Sequence, residues 1–217
     1  MDLFVCICYS LGVMAGKHGM SKAPRIYLNP LPQFDNATWI ELTQGYYALL
    51  DSKMISLNIP GFCVQKLSKT YYGARYEKKD GGGFYYLYLH RWVLEQNGIY
   101  ASNQIDHING HGWDNRLCNL RLATVSQNKG NVQLYSNNTS GHKGVSWDEE
   151  RGKWKASLHM IVAGKNKTKF LGRFYDKILA ARAYDRAAIK HFGKFAFTNF
   201  PLTDYLTPEE INEIMSK

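Results

Sequence analysis

The sequence predicts an α+β chain of two small modules joined by a polar linker. Three observations point there. Short alternating or apolar stretches are separated by turns rich in Gly, Asn and Asp, with few long amphipathic helices among them. Residues 133–141 (QLYSNNTSG) cluster Ser, Asn and Gly and read as a linker. Basic charge is concentrated beyond that linker. Ser140–Phe200 holds 13 Lys/Arg against 5 Asp/Glu, nearly all of the formal net charge of +9 carried by 217 residues.

Composition narrows the class. Hydrophobic residues at 45% are enough for a packed core, which excludes global disorder. A pI near 9.3 points to a polyanionic partner, most often nucleic acid. Cys6, Cys8, Cys63 and Cys118 form no C-x-x-C pair, so no structural zinc is expected, and the setting reads as reducing and intracellular. The apolar opening MDLFVCICYSLGVMAG has Asp2 where a leader carries basic residues, and it is too short and too polar to span a membrane. Residues 1–37 are therefore expected to form a disordered tail, and no membrane partner is expected.

The elements follow in order. Tyr46–Leu50, Tyr71–Tyr76 and Phe84–Leu89 read as strands, with Asp80-Gly81-Gly82-Gly83 turning the last two into a hairpin. His90–Gln96 reads as a short helix stopped by Asn97-Gly98. Gln104–Ile108 and Leu120–Thr124 are strands around a loop of Asn, Gly and His, and a helical turn begins near Ser126. Together these make a first module over 38–131, with the linker over 132–141. In the second module, 142–200, Gly144–Trp147, Lys153–Ile161 and Thr168–Phe174 are strands. Turns fall at Asp148–Gly152 and Ala163–Asn166. Asp176 caps a helix to Phe192 with Gly193 as its stop, and Ala180, Ala183 and Ala187 form a small-residue stripe. Residues 201–217 form a tail whose Thr207-Pro-Glu-Glu210 box opens a short helix.

Chemistry concentrates between Asp106 and Asn128. Asp106 offers a hard oxygen ligand and His107 an imidazole that is neutral near physiological pH. On a strand these neighbours would face opposite ways. A strand end beside a tight loop can bring both to one phosphate. Asn128 on the following helix could add a second oxygen ligand.

The stretch IDHINGHGWDNRLCNLRLATVSQN, preceded by LHRWVLEQNG, resembles the HNH endonucleases, above all the phage- and intron-encoded homing type, over roughly residues 38–131. The resemblance implies a ββα-metal nuclease module. In it Asp106 and Asn128 would bind one Mg²⁺ or Mn²⁺, His107 would be the general base, and Asn119 would hold the His107 ring. Asn128 stands where many relatives have His. His90 and Arg121 are candidates for a supporting role, with Arg121 and Lys129 also candidates for phosphate contact, whereas His111 reads as an exposed loop residue.

Residues 140–200 resemble the plant ethylene-response-factor (Apetala-two type) DNA-binding domain through SGHKGVSW, GKWKASL, KFLGRF and AARAYDRAAIKHFGKFAFTNF. That resemblance implies a three-stranded antiparallel sheet packed on one helix, with its free face in the major groove of double-stranded DNA. Lys143, Ser146, Lys153, Lys155, Ser157, His159 and Thr168 are the candidates for that face, and Lys169 falls on the covered side by strict alternation. Ser146, Ser157, His159 and Thr168 replace the longer arginines of plant members.

The function expected is a sequence-targeted DNA endonuclease of the homing type, encoded by a phage or mobile intron and working inside a host cell, with a monomer favoured. The alternative is a DNA-binding regulator with an inactive nuclease module, against which the intact Asp106, His107, Asn119 and Asn128 argue.

Overall fold

The computed structural model describes residues 26–27, 34–67, 70–100, 102–134 and 137–216. The readings made for the apolar opening, Cys6 and Cys8 lie outside them. The chain divides into two compact units, Met1–Leu122 and Ala123–Lys217.

Among its described residues, the first unit is built from small antiparallel sheets, one α-helix and short 3-10 turns. Strand β1 (Ile26–Tyr27) pairs with β2 (Ala37–Glu41), which pairs with β3 (Tyr47–Asp51). An ordered pairing thus falls inside the expected disordered tail. The reversal between β2 and β3 places Gln44 and Gly45 at positive φ. A second sheet joins β4 (Cys63–Lys66), β5 (Tyr71–Lys78) and β6 (Phe84–Tyr88). Gly81, Gly82 and Gly83 all take positive φ in the β5–β6 turn, which explains why three glycines stand there. Strand β4, which lacks a clear alternating pattern, is not predicted by the sequence.

Helix α1 (Leu89–Gln96) follows β6 directly and ends at Asn97-Gly98, as expected. Its buried residues, Leu89, Trp92, Val93 and Leu94, meet Ile40, Leu50, Met54 and Phe62 in one core. Leu89 and Val93 are fully buried, each stabilising the unit by about 1.5–3 kcal/mol. Strands β7 (Gln104–His107) and β8 (Leu120–Ala123) form a two-stranded sheet around the Asn/Gly loop. Strand β3 anchors that loop: Leu49 N–H donates to the Trp113 carbonyl and the Leu49 carbonyl accepts from Asn115 N–H, both at 2.8 Å.

In the second unit, β9 (Val145–Asp148), β10 (Lys153–Val162) and β11 (Lys165–Phe174) form an antiparallel sheet in the order β11-β10-β9. Ala156, Leu158 and Met160 alternate along β10 as its buried residues. Strand β11 starts earlier than expected because Ala163-Gly164, both at positive φ, make a two-residue turn. Helix α3 (Lys177–Phe192) is capped by Asp176, whose Oδ1 accepts from Ile178 N–H at 2.6 Å.

Its buried side is rotated from the predicted stripe: Ala180, Ala181, Tyr184, Asp185, Ala188, Ile189 and Phe192 are buried, with Ala183 and Ala187 at the margin. Tyr184 sets this rotation, because it lies over Gly144, where a Cβ would come within 1.9 Å of its ring. The Asp185 carboxylate accepts from Asn199 N–H and Nδ2, Phe200 N–H and Tyr205 Oη, at 2.8–3.0 Å. This network ties the chain after α3 to the helix. The Thr207 and Glu210 capping box opens α4 (Pro208–Ser216) as expected.

The unit boundary differs from the expected linker. Helix α2 (Val125–Gly130), which carries Asn128, belongs to the second unit. Gly130 packs against Phe192, and its carbonyl accepts from Lys143 Nζ at 2.6 Å. Ser140, placed in the linker by composition, is buried, and its hydroxyl lies within hydrogen-bond distance of the His142 and Val145 carbonyls, both at 2.9 Å.

Candidate active site and nucleic-acid interface

Asp106 and His107 end β7, and both are buried. Arg121 on β8 reaches Asp106 Oδ2 with Nε and Nη2, each at 2.7 Å. The guanidinium therefore offsets the buried carboxylate from within the sheet. Arg121, expected to support the site or to contact phosphate, is placed here against Asp106.

The loop after β7 is held from inside. Asn119 accepts from Asn109 N–H through Oδ1 and donates through Nδ2 to Asn109 Oδ1 and the Asp114 carbonyl. Asp114 is buried and receives Arg116 Nε at 2.8 Å, Arg116 Nη2 at 2.7 Å and Asn109 Nδ2 at 2.8 Å. Burial pushes the Asp114 carboxyl up, but the Arg116 contacts outweigh it and hold the group below the ordinary carboxylate range. Gly112 is required here, since a Cβ would lie 2.5 Å from the Tyr72 ring.

The expected Asn119–His107 contact is replaced. His107 Nε2 faces Asn115 Oδ1 at 3.4 Å, while Asn119 is taken up by the loop. Asn115 donates Nδ2 to the Trp113 carbonyl at 3.0 Å, which turns its oxygen toward the imidazole and favours the Nε2–H tautomer of His107. Sequence could not separate these two asparagines, because both sit in one polar loop and only its path decides which meets the ring.

Burial drives the His107 pKa down to about 4, against a smaller upward pull from Asn115 and Asp114. The ring is neutral at pH 7. His90 on α1 is pushed down to about 3, by burial first and then by His107 and Arg91. Its ring lies 5.2 Å from that of His107, stacks on Tyr88 at 5.3 Å, and buries Nδ1 with no hydrogen-bond partner among the described residues. Tyr72, 5.6 Å from His107, completes this aromatic wall and was missed by the sequence reading. His111 is exposed as expected and stacks on Trp113.

Among the described residues there is no group of three or more His, Cys, Asp or Glu that could hold a metal. Asn128 lies on α2, in the second unit. Lys129, the other candidate for phosphate contact, donates Nζ to Asn166 Oδ1 at 2.8 Å.

On the second unit, register puts Ser146 opposite Lys155 and Thr168 opposite His159, so these lie with Lys153 and Ser157 on the face away from the core. His159 Nδ1 and Thr168 Oγ1 are 2.8 Å apart. Lys169 is opposite Leu158, on the side the alternation gave it. Lys143 departs from expectation, because its ammonium turns to the Gly130 carbonyl and lies near the Phe197 ring. Arg173 and Phe170 were missed. Phe170 pairs with Ser157 and so shares the outward face with Thr168, and a β-bulge after Ala156 shifts the register so that Arg173 pairs with Lys155 and also comes outward. Arg173 is held there by Asp148 at 2.7 Å.

Protein 3.8 of Escherichia phage T7 is 39% identical over 67 residues, covering 31% of this chain and 55% of that protein. The AP2-like ethylene-responsive transcription factor ANT of Arabidopsis thaliana is 42% identical over 82 residues, 38% of this chain and 14% of the factor. The rice factor CRL5 is 37% identical over 82 residues, 12% of its own length. The chain thus spans about half of the phage protein and a small part of the plant factors. Residues 87–129 match the HNH endonuclease family, so the chain combines a segment similar to those endonucleases with similarity to AP2-like transcription factors.

Proposed function

We propose that this protein is a DNA endonuclease of the homing type, which hydrolyses a phosphodiester at the Asp106–His107 strand end and finds its target through the sheet of the second unit. The observation that carries this reading is a buried, neutral His107 beside a buried carboxylate, within the segment that matches the HNH endonuclease family.

A neutral imidazole accepts a proton without first losing one, as a general base must. His107, whose Nε2 faces Asn115 Oδ1, would take the proton from the attacking water. Phosphorus–oxygen bond cleavage then releases the leaving strand. Asp106 would supply a carboxylate oxygen to a Mg²⁺ or Mn²⁺ ion, and the family resemblance assigns a second oxygen to Asn128. One carboxylate with hard oxygens suits such ions, which keep several waters and use substrate phosphates as ligands. When bound, the ion offsets charge developing on the phosphate. The outward face of the second unit, with Lys155, His159 and Arg173, would lie against double-stranded DNA, where a short sheet fits the major groove.

The test is cleavage of plasmids carrying diverse phage DNA, with Mg²⁺ or Mn²⁺, alongside EDTA and a His107→Ala variant. Nicked or linear product that disappears in both controls supports the reading. DNA binding by both proteins without cleavage of any substrate would instead favour a DNA-binding regulator with an inactive nuclease module.

A further inference from the structure

The β5–β6 hairpin presents a file of aromatic rings that the fold does not need. By register, Tyr76 pairs with Tyr86, Lys78 with Phe84 and Ala74 with Tyr88, so Tyr72, Tyr76, Phe84, Tyr86 and Tyr88 share one face. The file runs ring to ring. Phe84 and Tyr76 centroids are 6.0 Å apart, Tyr76 and Tyr86 4.3 Å, and Tyr86 and Tyr88 6.4 Å. Tyr88 then stacks on His90, which adjoins His107. Neighbouring aromatic rings thus continue from the hairpin tip to the proposed general base.

Near the tip the rings are open to solvent: Phe84 is 64% exposed, Tyr76 60% and Tyr86 46%. Cross-strand aromatic pairing accounts for Tyr76 beside Tyr86. It does not account for Phe84, which leaves most of a large apolar ring in water opposite a lysine. Lys78 is the single charged side chain on this face of β5 and β6, whereas Arg75 and Glu77 pair on the other face at 2.7 Å. A cation among exposed rings suits a nucleic-acid strand, whose phosphates meet the charge while its bases meet the rings.

We propose that this face is a stacking platform for unpaired bases of the DNA strand beside the scissile phosphate. The proposal rests on the nuclease reading for its location and on the ring file for its chemistry. Paired bases hide their faces within the duplex and expose only edges in the grooves. Rings that offer faces therefore select a strand that has been opened, by melting near the cut or by a pre-existing gap.

The test uses the full chain in EDTA, so that binding is read without cleavage. Fluorescence anisotropy compares a single-stranded oligonucleotide, a duplex with an internal bubble and the fully paired duplex. Phe84→Ala and Tyr76→Ala should each weaken single-strand and bubble binding about 5- to 100-fold while leaving the paired duplex little changed. Phe84→Trp should keep the affinity, and Phe84→Leu, apolar but unable to stack, should lose it. Unchanged single-strand binding in Phe84→Ala, or full binding by Phe84→Leu, overturns the platform. A concentration-dependent dimer that Phe84→Ala abolishes, with strand binding unaffected, overturns it in favour of self-association. If the wild type cuts no plasmid with either metal, yet strand binding depends on Phe84 and Tyr76, the nuclease reading falls and the stacking face stands.

Discussion

Arg121 holds the buried carboxylate of Asp106 with two nitrogens on one oxygen, Nε and Nη2 each 2.7 Å from Oδ2. The side chains are 12% and 4% exposed, so water screens the pair poorly. Removing one partner of such a pair strands a buried charge. Arg121→Met is expected to cost about 3–5 kcal/mol in urea denaturation, and adding Asp106→Asn should recover part of that loss although activity stays absent.

The two loop asparagines should separate by readout. Asn115 orients the His107 ring, so Asn115→Ala should slow cleavage about 10- to 100-fold with the fold retained, as loss of an orienting partner does. Asn119 pairs the Asn109 N–H and the Asp114 carbonyl. Asn119→Ala leaves both without it, at about 1–3 kcal/mol for the buried contact to the Asp114 carbonyl and less for the part-buried Asn109 amide. Cleavage rates and thermal unfolding measured on both variants decide the assignment; equal rate losses at unchanged stability would reverse it.

His90 gives a pH signature. Its folded pKa is depressed to about 3 from the ordinary 6.5. Below pH 6.5 the unfolded chain takes up a proton that the folded chain refuses, so this contribution is complete above that value and declines as the pH falls toward 3. His90→Phe keeps a ring against Tyr88 but cannot titrate. Urea midpoints taken between about pH 7 and pH 5 should fall less steeply in the variant than in the wild type.

Asp185 accepts four hydrogen bonds from the segment after α3. Asp185→Ala should destabilise the second unit by about 3 kcal/mol or more, with Asp185→Asn losing less. Hydrogen exchange of the Asn199 and Phe200 amides would report the loss directly.

Arg173 is expected to take the DNA-contacting role that sequence suggests for Lys143. Arg173→Ala should weaken duplex binding and lower the salt-dependence slope by about one. Lys143→Ala removes the ammonium from the Gly130 carbonyl and should instead lower thermal stability, leaving the slope unchanged. A slope reduced by Lys143→Ala would show that its ammonium leaves that contact to meet phosphate.

Local physics was legible in the sequence. Alternation marked β10, three glycines marked the β5–β6 turn, Asp176 and Gly193 bracketed α3, and the Thr207–Glu210 box opened α4. Each is decided by a residue and its near neighbours in the chain. The Asp106–His107 pair was singled out too, by residue type and family resemblance, and the structure places both at the end of β7. The choice of partner was not legible. Arg121 for Asp106, Asn115 rather than Asn119 for His107, and Lys143 turned inward all depend on where distant backbone passes. One bulge after Ala156 reversed the alternation along β11 and brought Arg173 outward. Sequence alone marked most of the elements, though not β1, β2 or β4. Tertiary packing decided which side chains meet, because register, bulges and burial act between segments that no local pattern connects.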